Sequence, residues 1–129
     1  MKQTISTVVV GLLLSGAALA DVVVVGNPSA AALTKDQVSD YYLGKSSGMK
    51  LVDQPESSKI KTEFYSKLGK DLSQVKATWS RLIFTGKAQA PKELADAAAV
   101  KKAVAADPTT IGYIDKAEVD ATVKVLSTL

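Results

Sequence analysis

Val22-Val23-Val24-Val25-Gly26-Asn27-Pro28-Ser29 is a run of β-branched residues closed by a cluster of turn formers. An unbroken apolar run of this length fits a strand covered on both faces, the kind found in parallel sheets beneath helices. The segments that follow alternate in character. Thr34 and Gln37 have the spacing of a capping box, with Leu33 and Val38 placed as a hydrophobic staple across it. A helix is therefore predicted through Val38, Tyr41 and Tyr42, with Gly44 as its stop. Met49 to Val52 reads as a second strand. Ser57 or Ser58 is placed to cap a helix through Ile60, Phe64 and Leu68, closed by Gly69.

Asp71-Leu72-Ser73-Gln74 repeats the cap signature ahead of Val75, Trp79, Leu82 and Ile83, and Gly86 ends that helix. Pro91 opens an alanine-rich stretch in which Asp96 is placed to cap a helix from Ala97 to Ala106. Asp107-Pro108 marks a turn, and Ile111 to Ile114 and Thr122 to Leu126 read as the last strands. The order is strand, helix, strand, two helices, helix, strand, strand. That alternation predicts an α/β fold, with a mixed, mostly parallel sheet flanked by helices on both faces.

Residues 1–20 read as a secretory signal peptide. Lys2 supplies the positive end, Val8 to Leu14 forms an apolar core too short to span a bilayer, and Ala18-Leu19-Ala20 is a small-x-small cleavage pattern. No cysteine follows, so no lipid anchor is expected. The expectation is a periplasmic protein, not inserted in the membrane after cleavage, with one domain over residues 21–129. Its 109 residues suffice for a single core.

With Lys2 removed, fifteen basic residues face thirteen acidic ones, a net charge of +2. The lysines are scattered, which argues against nucleic acid as a partner. The chain has no His and no Cys. Imidazole bases, thiolate nucleophiles, disulfides and ordinary zinc or copper sites are excluded, and no cofactor is expected. Carboxylate chemistry remains, but Asp36 with Asp40, and Asp115 with Glu118 and Asp120, carry no signature of a shared cleft and read as solvated surface. A binding protein is predicted rather than an enzyme.

Two Gly-Lys pairs, Gly44-Lys45 and Gly86-Lys87, superficially suggest phosphate loops. Such loops precede a helix, whereas both pairs follow one, where glycine takes the left-handed cap and lysine offsets the negative helix end. Trp79 falls on the apolar stripe of its helix and Arg81 does not; Arg81 is suited either to fork onto an anion or to pair with a carboxylate. The remaining candidate is Gln54-Pro55-Glu56-Ser57-Ser58-Lys59, which follows a strand and opens a helix. Open α/β sheets place ligands at that edge, where hydroxyls and the first backbone N–H groups of a helix converge on an oxyanion. The alternative is simple capping of the helix by Ser57 or Ser58.

A succession of phrases carries a further signal: Tyr42-Leu43-Gly44-Lys45, Leu51-Val52-Asp53-Gln54, Phe64, Trp79 to Lys87, and Ile111-Gly112-Tyr113-Ile114. In this order the chain resembles the second lobe of the periplasmic phosphate-binding proteins that serve ABC importers. The resemblance runs from the Val22 strand to Ile114. It implies a single periplasmic-binding-protein-like lobe and an oxyanion site at Gln54, Ser57, Ser58 and Lys59. Gln54 stands at the family's arginine position, Glu56 at its acidic residue, Ser58 at its serine, Ile60 at its threonine and Phe64 at its phenylalanine. Gln54 offers a neutral amide where the family has a charge-assisted fork, so weak binding of phosphate or a related anion is expected, with completion by a second chain as one arrangement. The competing expectation is a ligand-free interaction module that kept the scaffold and contacts a periplasmic sensor domain, porin or importer component.

Overall fold

The computed structural model describes residues 21–129, so the signal-peptide reading of residues 1–20 lies outside the described residues. Strand β1 (Val22–Gly26) is followed by helix α1 (Lys35–Tyr42), β2 (Lys50–Asp53), α2 (Lys59–Lys67) and α3 (Leu72–Phe84). Then come β3 (Lys92–Glu93), α4 (Ala97–Ala106), β4 (Thr110–Asp115), a 3-10 turn (Lys116–Glu118) and β5 (Lys124–Thr128). The strands form one sheet in the order β3-β2-β4-β1-β5. Strand β2 runs parallel to β3 and β4, while β1 runs antiparallel to β4 and β5. Four strands thus share one direction and β1 opposes them: the sheet is mixed and mostly parallel.

The valine run of β1 is the centre of the packing. Val22 and Val24 face one layer with Val38, Tyr42, Phe64, Tyr65, Trp79 and Tyr113, drawn from α1, α2, α3 and β4. Val23 and Val25 face the other with Val52, Ile114, Val100 and Val104, the last two from α4. All four β1 valines are 0–1% exposed. The strand is buried on both faces as its sequence implies, yet antiparallel to both neighbours. A β-branched run reports two-sided cover by helices, and strand direction is set by the chain connections instead.

Local signals placed the helices well. Thr34 and Gln37 form the capping box of α1, and Asp71 and Gln74 that of α3. The Asp96 carboxylate accepts the Ala99 N–H at the start of α4, which spans the predicted Ala97–Ala106. Gly44 and Gly86 adopt positive φ of 77° and 72° after α1 and α3, the left-handed geometry that glycine tolerates best. The strands drift more. Strand β2 starts and ends one residue later than the Met49-to-Val52 reading, β5 lies two residues beyond Thr122 to Leu126, and β3 carries no sequence signal. Two residues held by parallel pairing to β2 are too few to show a period.

Candidate functional site

The predicted site sits at the C-terminal end of β2. Because β2 is flanked by parallel β4 and β3, its last residues and the loop into α2 emerge at the sheet edge where α/β folds gather ligands. Asp53 ends the strand and is 5% exposed. One of its carboxylate oxygens accepts a short hydrogen bond from the Tyr113 hydroxyl and the Gln54 N–H at 2.8 Å. The other accepts the Tyr65 hydroxyl at 2.7 Å, and Lys61 Nζ lies 3.8 Å away. Lys61, itself buried, also reaches Glu93 of β3 at 3.0 Å. A buried carboxylate is costly unless paired and hydrogen-bonded, and here it is both. Burial, then the Asp53 charge, pushes the Tyr65 and Tyr113 phenols well above their ordinary range, and Tyr42 shifts the same way for the same causes.

An aromatic cluster backs this carboxylate. Phe64 stacks on Tyr113 with ring centroids 3.9 Å apart and meets Tyr42 edge-on at 4.8 Å. The Tyr42 hydroxyl donates to the Val52 carbonyl at 2.8 Å and to the Ile111 carbonyl at 3.2 Å, tying α1 to β2 and β4. Trp79 Nε1 donates to the Tyr42 carbonyl at 2.8 Å, so the core role read for Trp79 comes with a hydrogen bond to the end of α1. The sequence reading missed Asp53, Lys61, Tyr65 and Tyr113 as a network. A carboxylate ending an apolar strand was the available signal.

Gln54 is 4% exposed and spends its side chain internally. Its Nε2 donates to the Tyr113 carbonyl at 2.9 Å, and its Oε1 accepts the Ser58 hydroxyl at 3.2 Å. Ser58 occupies the N-cap of α2, but its hydroxyl makes no cap bond. Thr34, Asp71 and Asp96 do cap their helices, which leaves α2 as the described α-helix whose first turn lacks a side-chain cap. Ser57 and Lys59 are exposed on either side of Ser58, and Lys59 enters no ion pair among the described residues. Glu56 is bound to Lys76 of α3 at 2.6 Å, which holds its carboxyl below the usual range and pins the loop. The loop therefore presents hydroxyl, ammonium and backbone donors outward, while Gln54 braces it from beneath.

Arg81 is exposed and makes no ion pair among the described residues. No cluster of metal-ligating side chains occurs among the described residues. No helix among them is long and apolar enough to cross a membrane.

No protein-family model and no curated protein sequence matches the chain. Solved structures do. An ABC-type phosphate transport receptor from Vibrio cholerae superimposes with a TM-score of 0.66 at 20% identity, covering 83% of this chain and 45% of the receptor. A phosphate ABC transporter substrate-binding protein from Clostridium perfringens, solved with bound phosphate, gives 0.63 at 18% identity, covering 83% and 44%. The chain thus spans less than half the length of these neighbours, and over that span it has the fold of a phosphate-binding-protein lobe.

Proposed function

We propose that this chain is a periplasmic solute-binding-type protein, exported by residues 1–20, whose 21–129 domain binds phosphate or a related oxyanion weakly in connection with ABC transport. The observation that carries this reading is the first turn of α2, which lacks a side-chain cap, opens at the C-terminal end of β2 and is flanked by Ser57 and Lys59. Backbone N–H groups and the positive helix end favour an anion there. Ser57, Lys59 and the first-turn backbone at Ser58 are the contacts; the Ser58 hydroxyl gives its one proton to Gln54 Oε1, so Gln54 braces the turn rather than reaching the ligand. Binding is weak because the site has an ammonium but no guanidinium fork, and because one lobe leaves the anion in water. Calorimetry with phosphate, sulfate and glucose tests it. Heat from the two anions but not the sugar, reduced in Lys59→Gln, is the expected result; no heat at millimolar anion would sink the reading.

A second reading is favoured by one observation: Phe84, at the end of α3, is 90% exposed beside Ile83 at 48%. An aromatic left this open is a feature of interaction surfaces. It supports an adaptor that contacts a periplasmic protein or a second copy of itself. Cross-linking of the purified protein and co-purification from periplasmic extract, each compared with Phe84→Ser, separate this reading from the first.

A further inference from the structure

A second concave surface lies away from the Gln54–Lys59 loop, between the end of α1 and the outer side of α3. It is a cleft of about 480 Å³, and no residue of the 54–59 segment lines it. Its walls carry three cations: Lys45 after α1, Lys70 before α3, and Arg81 on α3. None of the three is in an ion pair among the described residues, and no carboxylate lines the cleft. The nearby Asp71 carboxylate is held by the Gln74 N–H as the cap of α3. Unpaired cations lining one cleft repel one another, and a concave low-dielectric wall focuses their field on whatever anion enters.

The floor is apolar. Val75 is 5% exposed, and Leu82 packs so closely over Gly44 that a Cβ there would lie 2.2 Å from its Cδ1. Thr78 adds a hydroxyl on the α3 wall. A cationic rim above an apolar floor is the inverse of a site for a bare inorganic ion, which would gain nothing from the floor and lose hydration against it. We propose that this cleft is a binding site for an amphiphilic anion, its acidic group held by Lys45, Lys70 and Arg81 and its apolar part laid on the half-buried Leu82, which covers the core at Val75. The proposal is independent of the oxyanion reading of the α2 loop.

Sodium octanoate, 1-octanol and inorganic phosphate, titrated separately into ¹⁵N-labelled protein, provide the test. Octanoate is expected to shift the amides of Gly44, Thr78 and Arg81 saturably, with octanol and phosphate each at least about tenfold weaker at those positions. The Lys45→Gln/Arg81→Gln variant should lose about tenfold or more of the octanoate affinity. Both side chains are exposed, so its melting temperature should stay with the parent. Equal binding of octanol would reduce the cleft to a greasy patch and overturn the proposal. So would equal binding of phosphate at these amides, octanoate shifts confined elsewhere, or an unaltered double variant.

Discussion

Gly112→Ala is the most exacting test of how helix α4 meets the sheet. Gly112 lies in β4, opposite Val25 of β1 and beneath α4. A methyl group there would fall 2.6 Å from Val100 Cγ1 and 2.6 Å from Val52 Cγ2, with Val104 Cγ1 at 3.8 Å. Both close neighbours are buried, both are β-branched and stiff about χ1, and they belong to different elements. Neither can swing aside, so the methyl must lift α4 or bend β4. Overpacking of this kind costs about 1–3 kcal/mol. For a domain near 100 residues that corresponds to a melting temperature lower by roughly 5–20 °C. Thermal and urea melts of Gly112→Ala, Val100→Ala and the double variant measure it. The double variant should be at least ~0.5 kcal/mol less destabilised than the sum of the single costs, because truncating Val100 makes room for the new methyl. A Gly112→Ala protein that melts with the parent, or costs that simply add, would refute the packing argument.

Alkaline titration probes the buried phenols. Tyr42, Tyr65 and Tyr113 have folded-state pKa values raised above the ordinary 10.0, by burial first and the Asp53 charge second. Their stabilising contribution is present below pH 10 and falls as pH rises above it, by up to about 1.4 kcal/mol per pH unit for each tyrosine. Tyrosinate absorbance from these three should therefore appear together with loss of the circular dichroism signal, and a smooth titration preceding unfolding would contradict the burial. Val24→Asp, set against the aromatic layer, would bury an unpaired carboxylate at a cost of several kcal/mol and should leave little folded protein at neutral pH by the same dichroism signal; a cooperative melt like that of the parent would place β1 at the sheet's margin.

Much of this molecule was legible from local chemistry. The capping boxes at Thr34/Gln37 and Asp71/Gln74, the Asp96 cap and the glycine stops at Gly44 and Gly86 depend only on residues within a turn or two, and each stands as read. The Val22–Val25 run announced a strand buried on both sides, because four consecutive β-branched side chains leave no face for water. The α/β class followed from the alternation of these segments.

Tertiary structure decided what each polar side chain does. Ser58 had the look of a cap, but the Gln54 amide, fixed by the Tyr113 carbonyl, claims its hydroxyl. Asp53 meets Tyr113 across 60 positions of sequence, a pairing made by the parallel alignment of β2 with β4. Lys45, Lys70 and Arg81 were unrelated lysine and arginine positions until the C-terminal end of α1 met α3 through Tyr42, Gly44, Trp79 and Leu82. Helix caps and apolar runs are short-range and survive in a one-dimensional reading. Strand order, and the polar partners and clefts it creates, depend on contacts between distant segments, and only the folded chain brings those together.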